Sequence, residues 1–185
     1  MISDVMKQAR QRMDLAVENS AKEFQSIRTG RVSASLFDRI LVDYYGTATP
    51  LQQLASVAVR EARTVHITPY DKTAMGATEK AIRESDLGVN PSNDGKVIIV
   101  NLPELTAERR KEYVKLAKSR AEEGRVGVRQ ARHKAKEALS RIQKDGEAGE
   151  DEVRRAEHEL EGVTKKHITK IDELLAHKEA ELLEV

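Results

Sequence analysis

Val114-Lys-Leu-Ala117-Lys-Ser-Arg-Ala121-Glu-Glu-Gly124-Arg-Val-Gly-Val128-Arg-Gln-Ala131-Arg-His-Lys-Ala135-Lys-Glu-Ala138-Leu-Ser-Arg-Ile142 is the stretch that decides the fold. Val114, Ala117, Ala121, Gly124, Val128, Ala131, Ala135, Ala138 and Ile142 alternate steps of three and four residues. Only a helix brings such positions onto one stripe, and a seam held this long predicts packing against other helices. Thr106 is the expected N-cap, with Glu108 behind it and Pro103 just upstream. A helix over 105–145 would run about 60 Å at ~1.5 Å per residue. The seam is mostly Ala and Gly, so its neighbours can approach closely. Gly124 and Gly127 each cost about 1 kcal/mol relative to Ala in a helix, which predicts either tight packing or a local soft spot.

Two further stripes flank this one. Ile2, Val5, Ala9, Met13, Ala16, Ser20, Phe24 and Ile27 mark a first helix, with Ser3 and Asp4 suited to its start and Gly30 expected to stop it. Asp145-Gly-Glu-Ala-Gly149 reads as a turn. Beyond it, Val153, Ala156, Leu160, Val163, His167, Ile171, Leu174 and Leu182 predict a third helix, opened by the acidic turn Glu150-Asp-Glu152. Three helices, each with one apolar stripe, cover one another by bundling.

Between the first two helices the pattern changes. Arg39–Tyr45, Ser56–Val59, Thr64–Thr68 and Lys96–Val100 are short β-type runs bounded by Gly, Pro and Asn. Asp71–Ser85 reads as one short helix closed by Leu87-Gly88. The expected fold is therefore α+β in two domains: an antiparallel three-helix bundle from 1–30 plus 104–185, and an inserted small domain over 31–103. The two connections, at Gly30-Arg31 and at Leu102-Pro103-Glu104, lie side by side and form a natural hinge.

Composition narrows the function. There is no Cys, which excludes disulfides, thiolate catalysis and Cys-based zinc sites. No apolar run approaches the ~18 residues of a membrane span, and the N-terminus lacks signal-peptide or transit-peptide character; cytoplasm is the default. His66, His133, His158, His167 and His177 form no ligand cluster, and His167 reads as a packed, satisfied imidazole. Neither a phosphate-cradling loop nor a nucleophile, base and orienter arrangement is present. The expectation is no catalytic residue, no metal and no cofactor.

Charge is more informative. The net charge is only +1, yet residues 105–145 carry 13 Lys/Arg against 6 Asp/Glu, while residues 146–185 carry 6 against 12. Lys111, Lys115, Lys118, Arg125, Arg129, Arg132 and Lys136 follow the three/four spacing, one residue off the apolar seam, and only Glu122 interrupts them. The acidic third helix could neutralise this flank, as charges beside a coiled-coil seam often do; for Lys115 and Lys118 that is the favoured reading. Arginines resist it better, because planar guanidinium forks grip phosphates bidentately. Periodicity alone supports RNA binding and plain solvation about equally. A structural adaptor that binds another helical protein is the competing reading.

The motifs go further. Ser26-Ile-Arg-Thr-Gly-Arg-Val-Ser33 resembles the signature of the ribosome recycling factors. So do Tyr44-Tyr-Gly-Thr-Ala-Thr-Pro-Leu51, Gln53-Leu-Ala55, Asp86-Leu-Gly-Val-Asn-Pro91, Leu102-Pro103, Glu108-Arg-Arg-Lys-Glu112, Val126–Arg132 and Lys178-Glu-Ala-Glu-Leu182. The patches span the chain in order. The resemblance implies a three-helix bundle with an inserted β/α/β sandwich domain, L-shaped about a hinge. It implies a monomer without membrane association that acts with elongation factor G and GTP to split the post-termination ribosome, releasing mRNA and tRNA. Carried over by motif, contacts to large-subunit rRNA fall on Arg28, Arg31, Arg110, Arg129 and Arg132. The hinge falls on Gly30, Arg31, Leu102, Pro103 and Glu104. Two departures stand out. Family members often have Ala where this chain has Gly124 and Gly127, and many have a basic–acidic pair where His133-Lys134 stands, so no contact is carried over to 133 or 134.

Overall fold

The computed structural model describes residues 1–30 and 32–184. The three long stripes become α1 (Ile2–Gln25), α4 (Ala107–Lys144) and α5 (Glu150–Leu183). Thr106 caps α4 as its chemistry demands: its Oγ1 accepts the Arg109 amide at 3.1 Å. At the other end Gly146, with φ 71°, takes the left-handed position. Its amide donates to Gln143 O and that of Glu147 to Ile142 O, both at 3.1 Å, so the last carbonyls of α4 are satisfied. Helix α1 stops at Gln25, not at Gly30, whose backbone is not left-handed. After Ser26 the chain leaves the helix and folds inward, burying Ile27, Arg28 and Thr29.

The seam of α4 holds with one correction. Ala117, Ala121, Val128, Ala131, Ala135 and Ile142 are buried, but Leu139 is fully buried where Ala138 was expected and Ala138 is half-buried. Two successive four-residue steps, 131 to 135 to 139, restore the 3.6-residue period that strict three/four alternation drifts away from. Likewise on α5 Thr164 is buried, its hydroxyl donating to Leu160 O at 2.8 Å, while Val163 and His167 lie half-buried beside it.

The two glycines of α4 have different reasons. A methyl built on Gly124 would overlap Ser20 Oγ of α1 and press on Ile171 Cδ1 of α5 at 3.1 Å, so three helices meet at this point. At Gly127 the methyl would meet Ala16 Cβ at 3.4 Å, an ordinary contact. Gly162, inside α5, has nothing within 4 Å of such a methyl. It forgoes about 1 kcal/mol of helix stability with no packing return.

The remainder forms an antiparallel hairpin, β1 (Leu41–Tyr44) with β2 (Thr47–Pro50), and a four-stranded antiparallel sheet ordered β3-β4-β6-β5. Its strands are β3 (Ala55–Glu61), β4 (Thr64–Pro69), β5 (Ser92–Asn93) and β6 (Ile98–Asn101). One-turn helix α2 (Leu51–Leu54) joins β2 to β3, and α3 (Met75–Arg83) follows β4. Phe37, Val42, Leu51, Val65, Ile67, Ile82, Ile98 and Val100 close one core around these elements. Strand β2, α2 and β5 were not expected from sequence. Each is four residues or shorter, and β2 carries little apolar alternation. The β1–β2 turn places Tyr45 (φ 50°) and Gly46 (φ 81°) in the left-handed region, a two-residue turn of the kind that matches strand twist. Asp43 Oδ1 accepts the Gly46 amide at 3.0 Å and tightens it. Tyr44 donates to Asp71 Oδ2 at 2.7 Å, and the exposed Tyr45 ring stands edge-on to Tyr44.

By contact the chain divides into two compact units, Met1–Phe24 with Val114–Ala180, and Gln25–Tyr113 with Glu181–Val185. Residues 25–30 and 104–113 thus pack with the sheet. Leu102 is buried in its core and donates its amide to Arg63 O at 2.8 Å.

Gly124→Ala should lower bundle stability by about 1–2 kcal/mol, because overpacking outweighs the gain in helix propensity of about 1 kcal/mol. Gly127→Ala should be neutral or stabilising. Adding Ser20→Ala to Gly124→Ala should recover most of the loss. Denaturant unfolding of the four proteins checks this, and a Gly124→Ala protein as stable as the parent would refute the close approach.

Candidate nucleic-acid interface

In the bundle unit, α4 presents its basic flank toward α5, and the arginines there differ in how firmly the chain's own carboxylates hold them. Arg125 is the most enclosed, with 20% of its side chain exposed. Its Nε donates to Asp172 Oδ1 at 2.8 Å and its Nη1 to Glu122 Oε2 at 3.1 Å. Burial pulls its pKa down, but the hydrogen bonds to Asp172 and Glu122 outweigh that and hold it above the ordinary value. Arg125 is a fixed structural cation.

Arg129 and Arg132 are looser. Arg129 donates one bond, to Glu122 Oε1 at 2.9 Å, with 46% of its side chain in solvent. Arg132 Nη1 lies 3.6 Å from Glu161, with 38% exposed, and its buried Nε has no hydrogen-bond partner among the described residues. Single exposed pairs of this type contribute about 0–1 kcal/mol, so a phosphate can displace the carboxylate at little cost. Glu122, which interrupts the basic stripe in the sequence, sits between Arg129 and Arg125. Hydrogen bonds from Arg129 and then Arg125 hold its pKa below the usual carboxylate range, so it is ionised and caps both. Lys118 pairs with Glu179 at 4.0 Å, as expected; Lys115, expected to pair likewise, is exposed with no ion pair among the described residues.

The other candidates belong to the sheet unit. Arg28 is only 5% exposed and its Nε has no hydrogen-bond partner among the described residues. Desolvation by burial lowers its pKa; Tyr113 works against that, and the charges of Arg109 and Arg63 add to it. The structure thus places Arg109 and Arg63 near enough to act against the charge of Arg28. Arg109 reaches over Gly88, where a methyl would sit 3.4 Å from its Nη2, and makes one loose contact with Glu112 at 3.5 Å. Arg110 is half-buried, and its Nε has no hydrogen-bond partner among the described residues. Arg63 and Arg109 are half-exposed and loosely paired with Glu104 and Glu112, but a buried guanidinium with an unsatisfied nitrogen and like charges nearby, as Arg28 is, marks a place where an anion would be stabilised. Arg31, a candidate for both RNA contact and hinge, lies outside the described residues.

Arg63 and Arg109 were missed by sequence reasoning. Arg109 stood in the quoted Glu-Arg-Arg-Lys run, and the four-residue step to Tyr113 could have placed it on the face Tyr113 shares. Arg63 sits in the β3–β4 turn, and nothing in its surroundings in the sequence singles it out. His167 behaves as expected: its Nδ1 lies 2.7 Å from Val163 O and its Nε2 2.7 Å from Asp14 Oδ1. Among the described residues no group of three or more His, Asp or Glu side chains could hold a metal ion, and no helix is long and apolar enough to cross a membrane.

Comparison with known proteins identifies the family. The family model described as "Ribosome recycling factor" matches residues 20–183. The ribosome-recycling factor of Kineococcus radiotolerans is 60% identical over 185 residues, covering 100% of both chains. That of Pseudarthrobacter chlorophenolicus is 59% identical with the same coverage. A solution structure of the ribosome recycling factor superposes with a TM-score of 0.76 at 41% identity, covering 100% of this chain and 98% of that one. A second match, at TM-score 0.66 and 39% identity with 100% of both chains covered, models the Thermus thermophilus ribosome recycling factor and the Escherichia coli elongation factor G bound to the E. coli post-termination complex. With its full length matched in sequence and fold, this chain belongs to the ribosome recycling factor family.

Proposed function

We propose that this chain recycles ribosomes. With elongation factor G and GTP it dissociates the post-termination ribosome into subunits, releasing mRNA and tRNA, and it has no active site of its own. The bundle docks on large-subunit rRNA, and the hinged domain over 31–103 moves about Gly30-Arg31 and Leu102-Pro103-Glu104. It works as a monomer in the cytoplasm. Membership of the family supports this, as does the relative placed with elongation factor G on a post-termination complex.

The observation that carries the RNA-docking step is the state of Arg129 and Arg132. Each is tied to one exposed carboxylate and keeps part of its side chain in solvent, 46% for Arg129 and 38% for Arg132. A guanidinium in that state exchanges a weak internal partner for a phosphate, which accepts two parallel hydrogen bonds. Arg28, Arg31 and Arg110 complete the proposed set. Elongation factor G then loads the hinged domain, and the long helices carry that load to the contacts between subunits.

Three outcomes test this reading. Arg129→Glu with Arg132→Glu should abolish most large-subunit binding. The parent, with about five phosphate contacts, should lose roughly 10²–10³ in affinity between 50 and 200 mM salt. Co-sedimentation at the two salt concentrations reads both, and unchanged binding by the double variant would end the assignment. Arg28→Met should weaken subunit binding while leaving the melting temperature unchanged or raised, because a buried, unpaired charge is removed; a large fall in melting temperature would make Arg28 a structural residue instead. Gly30→Pro should slow splitting, followed by light scattering with elongation factor G and GTP, far more than it weakens binding. Equal losses in the two assays would argue against a moving domain.

A further inference from the structure

Helix α5 is acidic as a whole, yet its exposed side carries a basic island. Lys165, Lys166 and Lys170 are all exposed, and none has a hydrogen bond or ion pair among the described residues. Together with Gly162 and Thr169 they share one face at three- and four-residue spacing. They line a groove of about 650 Å³ that α1 closes with Asp14. This is the α1–α5 side of the bundle unit, whereas Arg129 and Arg132 lie on the side where α4 meets Glu161 of α5.

Two carboxylates oppose the three ammonium groups, and they differ. Asp14 is engaged by the His167 ring, whose Nε2 lies 2.7 Å from its Oδ1 and whose Nδ1 lies 2.7 Å from Val163 O. Glu173 is exposed and has no hydrogen bond or ion pair among the described residues. The groove therefore keeps an excess of positive charge that the fold does not use. Gly162 adds an independent sign. Its omitted side chain serves no packing contact, and its effect is to leave the backbone at the groove open to close approach. Lys166 and Lys170 are separated by about 6 Å along the helix axis and Lys165 and Lys170 by about 7.5 Å. That spans about two phosphates at ~3.4 Å per nucleotide of one strand.

We propose that this groove is a second RNA-backbone contact, with Lys165, Lys166 and Lys170 neutralising phosphates and Gly162 admitting the strand. The proposal rests on the reading of the chain as a factor that docks on ribosomal RNA. It adds a contact that is separate from the α4 arginines and that comes from the helix counted as acidic.

The test uses the full chain with Lys165→Ala, Lys166→Ala and Lys170→Ala combined, a matched triple Lys→Arg variant, and the Arg129→Glu/Arg132→Glu protein in parallel. Binding is measured from 50 to 200 mM salt, both to intact large subunits and to protein-free large-subunit rRNA. The triple Ala variant should bind both probes roughly 10- to 100-fold more weakly, with the slope of log affinity against log salt reduced by about 2–3. The triple Arg variant should bind like the parent. An unchanged slope would overturn the proposal, and so would equal losses in the Arg and Ala variants. Loss on intact subunits alone would also overturn it, since the groove would then face an acidic protein surface. If the α4 variant loses binding while the triple Ala variant does not, the inference fails and the wider reading survives. If the triple Ala variant alone loses binding, the groove stands and the α4 docking step falls.

Discussion

Everything in the bundle unit depends on how closely three helices approach where Gly124 faces Ser20 and Ile171. A side chain of any size on α4 at this level would push α1 or α5 outward, and the flanks of the helices would move with it. Close approach brings the polar flank of α4 within reach of the carboxylates of α5. The pairs Arg125–Asp172 and Arg132–Glu161 exist because the helix axes are near enough for short acidic side chains to span the gap. Glycine at 124 thus sets the geometry in which the arginines are displayed as well as the packing beneath them.

The same proximity raises a competition that decides what the basic flank can do. Had the acidic helix consumed every guanidinium, no positive surface would remain for an outside anion. The pairing is graded instead. Arg125 is held by two carboxylates and enclosed. Arg129 and Arg132 keep one exposed carboxylate each, and Lys115 and Lys136 have none among the described residues. Glu122 and Glu161 therefore hold Arg129 and Arg132 in place through single exposed ion pairs, which are weak enough to exchange. In the sheet unit the logic is reversed. Arg28 is buried, its Nε has no acceptor among the described residues, and the charges of Arg109 and Arg63 act against its own, an electrostatic cost of the kind an anion relieves.

Much of this was legible in the sequence. Periodicity gave the three helices to within a few residues, because long stripes average over local accidents. Strong β-formers gave β1, β3, β4 and β6. Where the reading slipped, a local contact overrode a pattern. Leu139 took the core position from Ala138 because a straight helix drifts from a strict heptad, and α1 ended at Gln25 because burying Ile27 outweighed continuing the helix to Gly30. Of the candidate site, Arg129 and Arg132 followed from helical spacing and motif together. The enclosure of Arg28 and its neighbours Arg63 and Arg109 did not, since these residues meet only through the tertiary fold. No one-dimensional spacing encodes how many carboxylates reach a given guanidinium.

The small-residue seam also has a thermal consequence. Along α4 the buried positions are largely alanine, so that helix exposes little apolar surface when the bundle opens. The sheet unit instead hides Phe37, Leu51, Ile67, Ile82 and Ile98 in its interior. Heat-capacity increments scale with the apolar area exposed on unfolding. Per residue, then, the bundle should have the flatter free-energy curve and the sheet unit the more sharply arched one, so cooling and heating would shift the balance between the two parts of one chain.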